Sequence, residues 1–206
     1  MAIGVAAKQI MADNQTITIG GGVESISMVQ TPEMRIAPDP TVLEKHPQAY
    51  IQMIDTAEIV AERYGVTRDE MDEYALLSQQ RTHAAQEAGK FDGEIVPLVS
   101  TMMVKNKETG EISKSETKLE KDEGNRPSTN LEGLQGLKPV RGPEKTITAG
   151  NAPQLSDGAS VSVLMERKEA ERRSLSPLGI YRGMAVAGLE PDEMGIGPVN
   201  AVPKLL

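Results

Sequence analysis

The stretch Thr16-Ile17-Thr18-Ile19-Gly20-Gly21-Gly22 decides how the chain folds. Its first four residues are β-branched and alternate polar with apolar, the pattern of a strand with one buried face. The three glycines have no side chains to pack and read as a tight turn whose backbone needs positive φ. Upstream, Ile3, Ala6, Ala7, Ile10 and Met11 repeat at helical spacing within Met1 to Asn14, and Asp13-Asn14 supplies a stop. A helix leading directly into a strand points to an α/β layer.

The rest of the chain extends that layer. From Val29 to Ala49, Pro32, Pro38, Pro40 and Pro47 interrupt any periodicity, so this stretch reads as a connection or the start of an insertion. Two helices follow. Asp55 with Glu58, and Thr67 with Glu70, have capping-box spacing, and Gly65 and Gly89 close the helices. In the second, Met71, Tyr74, Ala75, Ser78, Thr82, Ala85 and Ala88 form a small apolar stripe. The cluster Asp69, Glu70, Asp72 and Glu73 reads as a solvated first turn favoured by the helix dipole. Glu94 to Val104 suits one or two strands, and Lys105 to Asn125 an exposed ribbon or loop. Leu131, Leu134 and Leu137 predict a short helix stopped by Pro139, and Thr146 to Thr148 a short strand. Val161 to Met165 reads as a strand buried on both faces, Glu166 to Ser174 as a polar helix, and Leu178 to Leu189 as a long strand. Gly195-Ile196-Gly197-Pro198 reads as a turn before a helix that has barely begun at Leu206. The coarse expectation is an α/β core with a polar subdomain inserted over 30–125.

Composition narrows function. At 206 residues the chain is one domain, or one with a smaller subdomain. Lys and Arg number 22 against 30 Asp and Glu, a net charge of −8, which disfavours nucleic acid and anionic membranes as partners. Zero cysteine removes thiolate catalysis, disulfides and Cys-ligated metals. No apolar run approaches the roughly 18 residues of a membrane span, and no basic segment precedes an apolar one at the start, so the expected compartment is the cytoplasm. Gly20-Gly21-Gly22 lacks phosphate-loop spacing, and Ser156-Asp157-Gly158 lacks a nucleophile elbow and reads as a turn. His46 and His83 sit in unrelated segments without clustered carboxylates and read as surface residues; no metal site is expected. Of the eleven Met residues most read as core filler, while Met53 and Met194, beside irregular chain, are placed to line a pocket. No constellation of residues here performs chemistry by itself.

Taken in order, Gly21-Gly22-Val23-Glu24-Ser25-Ile26-Ser27, Thr56-Ala57-Glu58, Asp72-Glu73-Tyr74-Ala75, Glu94-Ile95-Val96-Pro97, Leu137-Lys138-Pro139-Val140, Thr146-Ile147-Thr148-Ala149-Gly150-Asn151-Ala152, Asp157-Gly158-Ala159 and Met194-Gly195-Ile196-Gly197-Pro198 resemble the middle of the thiolases, the acetyl-CoA C-acyltransferase family. The resemblance runs from end to end and covers half of a family member. It implies a partial thiolase-like layered α/β core: 1–29 part of the N-terminal half, 30–125 an inserted, CoA-facing loop subdomain, 126–175 the remainder of that half, and 176–206 the start of the C-terminal half. The implied activity is acyl transfer to and from CoA, by 3-oxoacyl-CoA thiolysis or acetyl-CoA condensation, as in fatty-acid β-oxidation. The family's nucleophilic Cys-x-Ser-Gly would lie upstream of Met1, and its Asn-Glu-Ala-Phe, Gly-His-Pro and second Cys-x-Gly-Gly segments beyond Leu206. The chain then holds no catalytic residue and is inactive alone.

What the resemblance carries onto these residues is CoA recognition. Arg126 stands where the family places a cation near the nucleotide, and Ala149, with Gly150, where backbone meets the pantetheine arm. Met53 and Met194, with Gln52, stand where side chains wall the thioester pocket. Pro153 and Gly133 replace serines of many members and Gln52 a histidine of short-chain biosynthetic ones, which leans the reading towards a degradative or broad-range enzyme. The resemblance implies a CoA thioester as substrate, no tightly bound cofactor, and a homo-oligomer, dimer or tetramer. A different class of function, a non-catalytic CoA-binding or assembly subunit that partners a complete thiolase, is motivated by the absence of cysteine.

Overall fold

A computed structural model describes residues 1–29 and 38–206. The first residues of the expected insertion, 30–37 with Pro32 among them, lie outside the described residues. The chain divides into two compact units, Met1–Gly65 with Leu155–Leu206, and Val66–Gln154.

The first unit is built on helix α1 (Ala2–Ala12) and strand β1 (Ile17–Glu24), which pairs antiparallel with β4 (Gly158–Met165), Ile17 opposite Met165 and Glu24 opposite Gly158. Ala6 and Ala7 of α1 are buried, and the Thr18 hydroxyl donates to the Ala6 carbonyl at 2.9 Å, fastening helix to strand. The expected turn at Gly20-Gly21-Gly22 is absent: the strand continues through all three glycines, none at positive φ. Their role is close approach. A Cβ at Gly20 would stand 2.9 Å from the Ile3 Cα, and one at Gly21 would stand 2.6 Å from the Ser160 carbonyl oxygen of β4. The glycines let a helix and a strand come near.

Other expectations in this unit are also corrected. The β4 run is not buried on both faces: Val161 and Val163 are 73% and 63% exposed, because the two-stranded ribbon has little packed on it, and only Leu164 and Met165 of β4 are half-buried. Leu178 to Leu189 forms no strand. Its residues alternate in exposure from Tyr181 to Glu190, as extended chain does, without a ladder partner among the described residues. The C-terminal helix, α8 (Gly197–Leu205), is already formed and follows a 3-10 turn, Pro191–Ile196, with Pro198 in its first turn, where a missing N–H costs nothing. A short helix, α2 (Ile26–Val29), precedes the proline-rich connection, and among the described residues of the connection itself lies α3 (Pro40–Lys45), capped by Asp39 accepting from the Thr41 and Val42 amides. Asp157 serves α2: its carboxylate accepts from the Ser27 amide at 3.0 Å and from the Ser25 and Ser27 hydroxyls. Those bonds, from Ser27 foremost, hold the carboxyl below its usual range. Helix α4 (Met53–Tyr64) begins with Gln52, not Asp55, as its cap; Asp55 stands in the first turn, and Gly65 ends the helix in the left-handed region at φ 67°.

The second unit carries α5 (Arg68–Glu87), and here the expected capping box is present: the Thr67 hydroxyl faces the Glu70 amide, and the Thr67 amide donates to Glu70 Oε2 at 2.8 Å. The Glu94–Asn125 region is an exposed antiparallel hairpin of β2 (Leu98–Lys105) and β3 (Ile112–Leu119). Helix α6 (Leu131–Gln135) is capped by Asn130. Thr146 to Thr148 is not a strand; Ile147 and Thr148 are buried, and the Ile147 carbonyl accepts from the Val140 amide at 2.9 Å. Among the described residues the buried apolar side chains are Ala6, Ala7, Ala61, Leu134 and Ile147, and no helix is long and apolar enough to cross a membrane.

Two outcomes follow for this framework. Gly21→Ala is expected to destabilise by about 1–3 kcal/mol, because backbone rather than a flexible side chain occupies the Cβ position. Gly22→Ala meets nothing within 4 Å and is expected to be neutral or slightly stabilising, so paired urea unfolding curves separate the two. In α7 (Arg167–Arg172), bonds from Arg172 and then Arg173 hold the Glu169 carboxyl at about 2, below its ordinary 4.5. Its contribution to stability is therefore complete above pH 4.5 and is lost as pH falls towards 2. The carboxyl carbon shift of Glu169, followed by NMR, should titrate with that low midpoint.

Candidate functional site

The second unit is organised around a carboxylate with no solvent exposure, Asp72 on α5. The expectation of a solvated first turn fails at this residue. The reason lies in spacing: Arg68, four residues earlier, brings its Nε to Asp72 Oδ2 at 2.7 Å, so the charge is neutralised where it is buried. Asp72 Oδ1 accepts from Asn151 Nδ2 at 3.0 Å. The same α5 edge sends Arg68 Nη2 to the carbonyls of Leu134 (2.8 Å) and Leu137 (3.1 Å), at the end of α6 and just beyond it. Of the apolar stripe expected on α5, Met71, Ala75, Thr82 and Ala85 are half-buried, while Tyr74 (69% exposed), Ser78 and Ala88 face outward and Arg68, Asp72 and Gln79 share the inward side.

Asn151 carries the network into the turn that follows Thr146. Its Nδ2 also donates to the Thr146 carbonyl at 3.0 Å, and its Oδ1 accepts from the Thr148 amide at 2.8 Å. The Thr148 hydroxyl, fully buried, accepts from the amides of Gly150 (3.1 Å) and Asn151 (3.3 Å). Ala152 closes the turn by donating its amide to the Thr148 carbonyl at 3.1 Å. Ala149 is thereby left at the exposed apex, with Gly150 half-buried beneath it. Gly150 lies against α6: a Cβ there would stand 2.5 Å from Leu134 Cδ2 and 2.6 Å from Leu137 Cδ1. The structure thus brings Ala149 and Gly150 together with the helix that contains Gly133. Gly133 itself is exposed, its amide donating to the Asn130 side chain at 2.8 Å, and Pro153 is exposed just past the turn.

Arg126 is set by α5 as well. Its amide donates to Gln79 Oε1 at 2.8 Å, the neighbouring Asn125 Nδ2 donates to both oxygens of Gln79, and the Thr129 hydroxyl donates to the Arg126 carbonyl. The backbone is pinned while the guanidinium is exposed, the disposition of a cation offered to solvent or to an anionic ligand.

The remaining expected residues, Gln52, Met53 and Met194, belong to the first unit. Gln52 and Met53 open α4 and Met194 lies in the 3-10 turn, with Met53 70% and Met194 46% exposed. That turn is fastened to the far end of α4 by Arg63, whose Nη2 meets Asp192 Oδ2 at 3.0 Å and whose Nη1 meets Glu193 Oε1 at 2.6 Å. The Tyr64 hydroxyl donates to the same Glu193 oxygen at 3.1 Å. Arg63 and then Tyr64 hold the Glu193 carboxyl below its usual range, and the bond to Glu193 raises the Tyr64 phenol.

Sequence reasoning missed Arg68, Asp72, Thr148 and Asn151 as a group. The legible signal was the Arg68 to Asp72 spacing of four on one helix face; the partnership with Asn151, 79 residues away, leaves no local trace. Among the described residues no group of three or more His, Cys, Asp or Glu could hold a metal ion. Gly150→Ala is expected to cost about 1–3 kcal/mol in urea unfolding, since Leu134 is buried and cannot swing away.

Comparison with known proteins places this geometry in a family. The profile described as thiolase, N-terminal domain, matches residues 1–168. A 3-ketoacyl-CoA thiolase of Bacillus subtilis is 41% identical over the whole of this chain and 52% of its own length. The peroxisomal 3-ketoacyl-CoA thiolase of Homo sapiens is 40% identical, again over the whole chain and 47% of its own length. Among solved structures, the dimeric peroxisomal thiolase of Saccharomyces cerevisiae superposes with a TM-score of 0.81 at 32% identity, covering all of this chain and 50% of that one. Human mitochondrial 3-ketoacyl-CoA thiolase gives 0.77 at 31% identity, covering all of this chain and 52% of that one. The chain spans about half the length of the curated relatives it matches, and with its thiolase fold and N-terminal domain it belongs to the thiolase family.

Proposed function

We propose that these residues form the CoA-recognising part of a thiolase that transfers acyl groups between CoA and 3-oxoacyl-CoA, as the names of the 3-ketoacyl-CoA thiolases it is similar to suggest, with Gln52, Gly133 and Pro153 leaning it towards a degradative or broad-range enzyme. The observation that carries the reading is the exposed apex at Ala149, with Gly150 half-buried beneath it, held by a buried polar network within a chain of this family. Ala149 and Gly150 offer backbone to the pantetheine arm, with Gly133 and Pro153 flanking it. Arg126 meets the anionic nucleotide, and Gln52, Met53 and Met194 wall the acyl pocket. The inserted subdomain expected over 30–125 supplies the side that faces the coenzyme.

Claisen chemistry needs a thiolate to carry the acyl group, a base for the proton α to the thioester, and donors where the oxyanions form. With no cysteine in the sequence, the nucleophile in this reading comes from outside these 206 residues. The active form is proposed to be a homo-oligomer, in keeping with the dimeric yeast relative. The compartment we propose is the cytoplasm; fractionation tests it against the peroxisome, which the name of the human relative carries.

Two measurements test the reading. Calorimetry with CoA should show binding to this chain that weakens about tenfold in Arg126→Ala, as expected for the loss of one charge-assisted contact. Thiolysis of acetoacetyl-CoA by the chain alone should show no turnover. Turnover without any cysteine would overturn the division of labour, and absence of CoA binding would overturn the recognition role. CoA binding that persists alongside a complete thiolase, with no nucleophile ever joined to this chain, would identify a non-catalytic subunit instead.

A further inference from the structure

We infer that Asp72 is a positioning residue for the coenzyme-facing apex, acting through Asn151; this rests on the CoA reading above. Asp72 is the titratable group in the second unit that is buried completely, and no step of acyl transfer uses it. A buried carboxylate is costly unless each oxygen is occupied, and here both are, one by Arg68 and one by Asn151.

The orientation of the Asn151 carboxamide follows from what surrounds it. An ionised carboxylate and a backbone carbonyl can only accept, so Asp72 Oδ1 and the Thr146 carbonyl both require the NH2 end. Oδ1 must then face the Thr148 amide, as it does at 2.8 Å. That bond sets the turn in which the Thr148 hydroxyl receives the Gly150 and Asn151 amides. Asp72 is thus the group on α5 that, with the Thr146 carbonyl and the Thr148 amide, fixes which way the Asn151 carboxamide points. Through Arg68 the same carboxylate is tied to the Leu134 and Leu137 carbonyls, so α6, with Gly133, and the apex, with Ala149 and Gly150, are located from one point on α5. An Asn at 72 cannot reproduce this. If its oxygen faces Asn151, its NH2 faces the Arg68 donor; if it flips, two NH2 groups oppose each other.

The test compares Asp72→Asn with Thr67→Ala, which removes the α5 cap and destabilises the same helix without touching the turn. At a temperature where both variants are folded, Asp72→Asn is expected to weaken CoA binding at least about tenfold and Thr67→Ala less than about twofold. Equal affinity of Asp72→Asn and wild type, or equal weakening by Thr67→Ala, would overturn the assignment while leaving the CoA reading intact. Amide exchange supplies a readout that needs no ligand. Loss of protection confined to Thr148, Gly150 and Asn151 in Asp72→Asn, and absent in Thr67→Ala, supports the assignment; unchanged protection there refutes it. If wild type itself binds no CoA, the functional reading fails and the exchange pattern alone decides whether Asp72 positions the turn.

Discussion

The second unit depends on the partnership of one buried anion with one arginine and one asparagine. Asp72 without Arg68 would be an uncompensated charge in a dry site, and without Asn151 it would have an unoccupied oxygen. Met, Leu and Ala would fill the same volume more cheaply, so stability alone does not account for polar residues there. What the polar set provides is direction. Each oxygen and each N–H admits one kind of partner, which selects a single arrangement of a turn that has no ladder to hold it. The exposed apex at Ala149 is consequently specified although its own side chain specifies nothing.

The first unit solves a different problem by subtraction. Gly20 and Gly21 lie inside a paired strand, where glycine is ordinarily unfavourable, because the backbones of α1 and β4 come within Cβ distance of them. Close approach substitutes for side-chain packing, and the buried apolar residues of α1 are accordingly the small Ala6 and Ala7. The opposite side of the ribbon, with Ile19, Val161 and Val163, remains exposed. The Arg63 bridge to Asp192 and Glu193 is a third device, joining α4 to the 3-10 turn by charge and so locating Met194 relative to that helix.

Acyl transfer between thioesters divides naturally into groups that react and groups that hold. A thioester is held largely by backbone amides, carbonyls and apolar walls, for which residue type matters less than placement. This explains how a chain without cysteine retains legible family character: its ordered segments are mostly turns, glycines and short apolar runs whose shared property is geometry. In the proposed function Gly133 and Pro153 bring no hydroxyl to that surface, and Pro153 no N–H either, which is why they lean the proposal towards a degradative or broad-range enzyme.

Much was legible from residues alone. Local rules sufficed for α1, the Thr67 and Glu70 capping box, the Gly65 stop and the exposed β2–β3 hairpin, because each depends on neighbours within a few positions. The ordered segments likewise identified the family before any geometry was known. What needed tertiary structure was everything decided between distant residues. Gly20 to Gly22 looked like a turn because closeness to α1 and β4 leaves no sequence mark, and Leu178 to Leu189 looked like a strand because a mostly apolar run does not reveal whether a ladder partner exists. Asp72 looked solvated because it stands in an acidic first turn with Asp69, Glu70 and Glu73, and its spacing of four from Arg68 does not by itself reveal burial. Only folding places Asn151 against it, and burial turns an ordinary surface charge into the constraint that orients the turn.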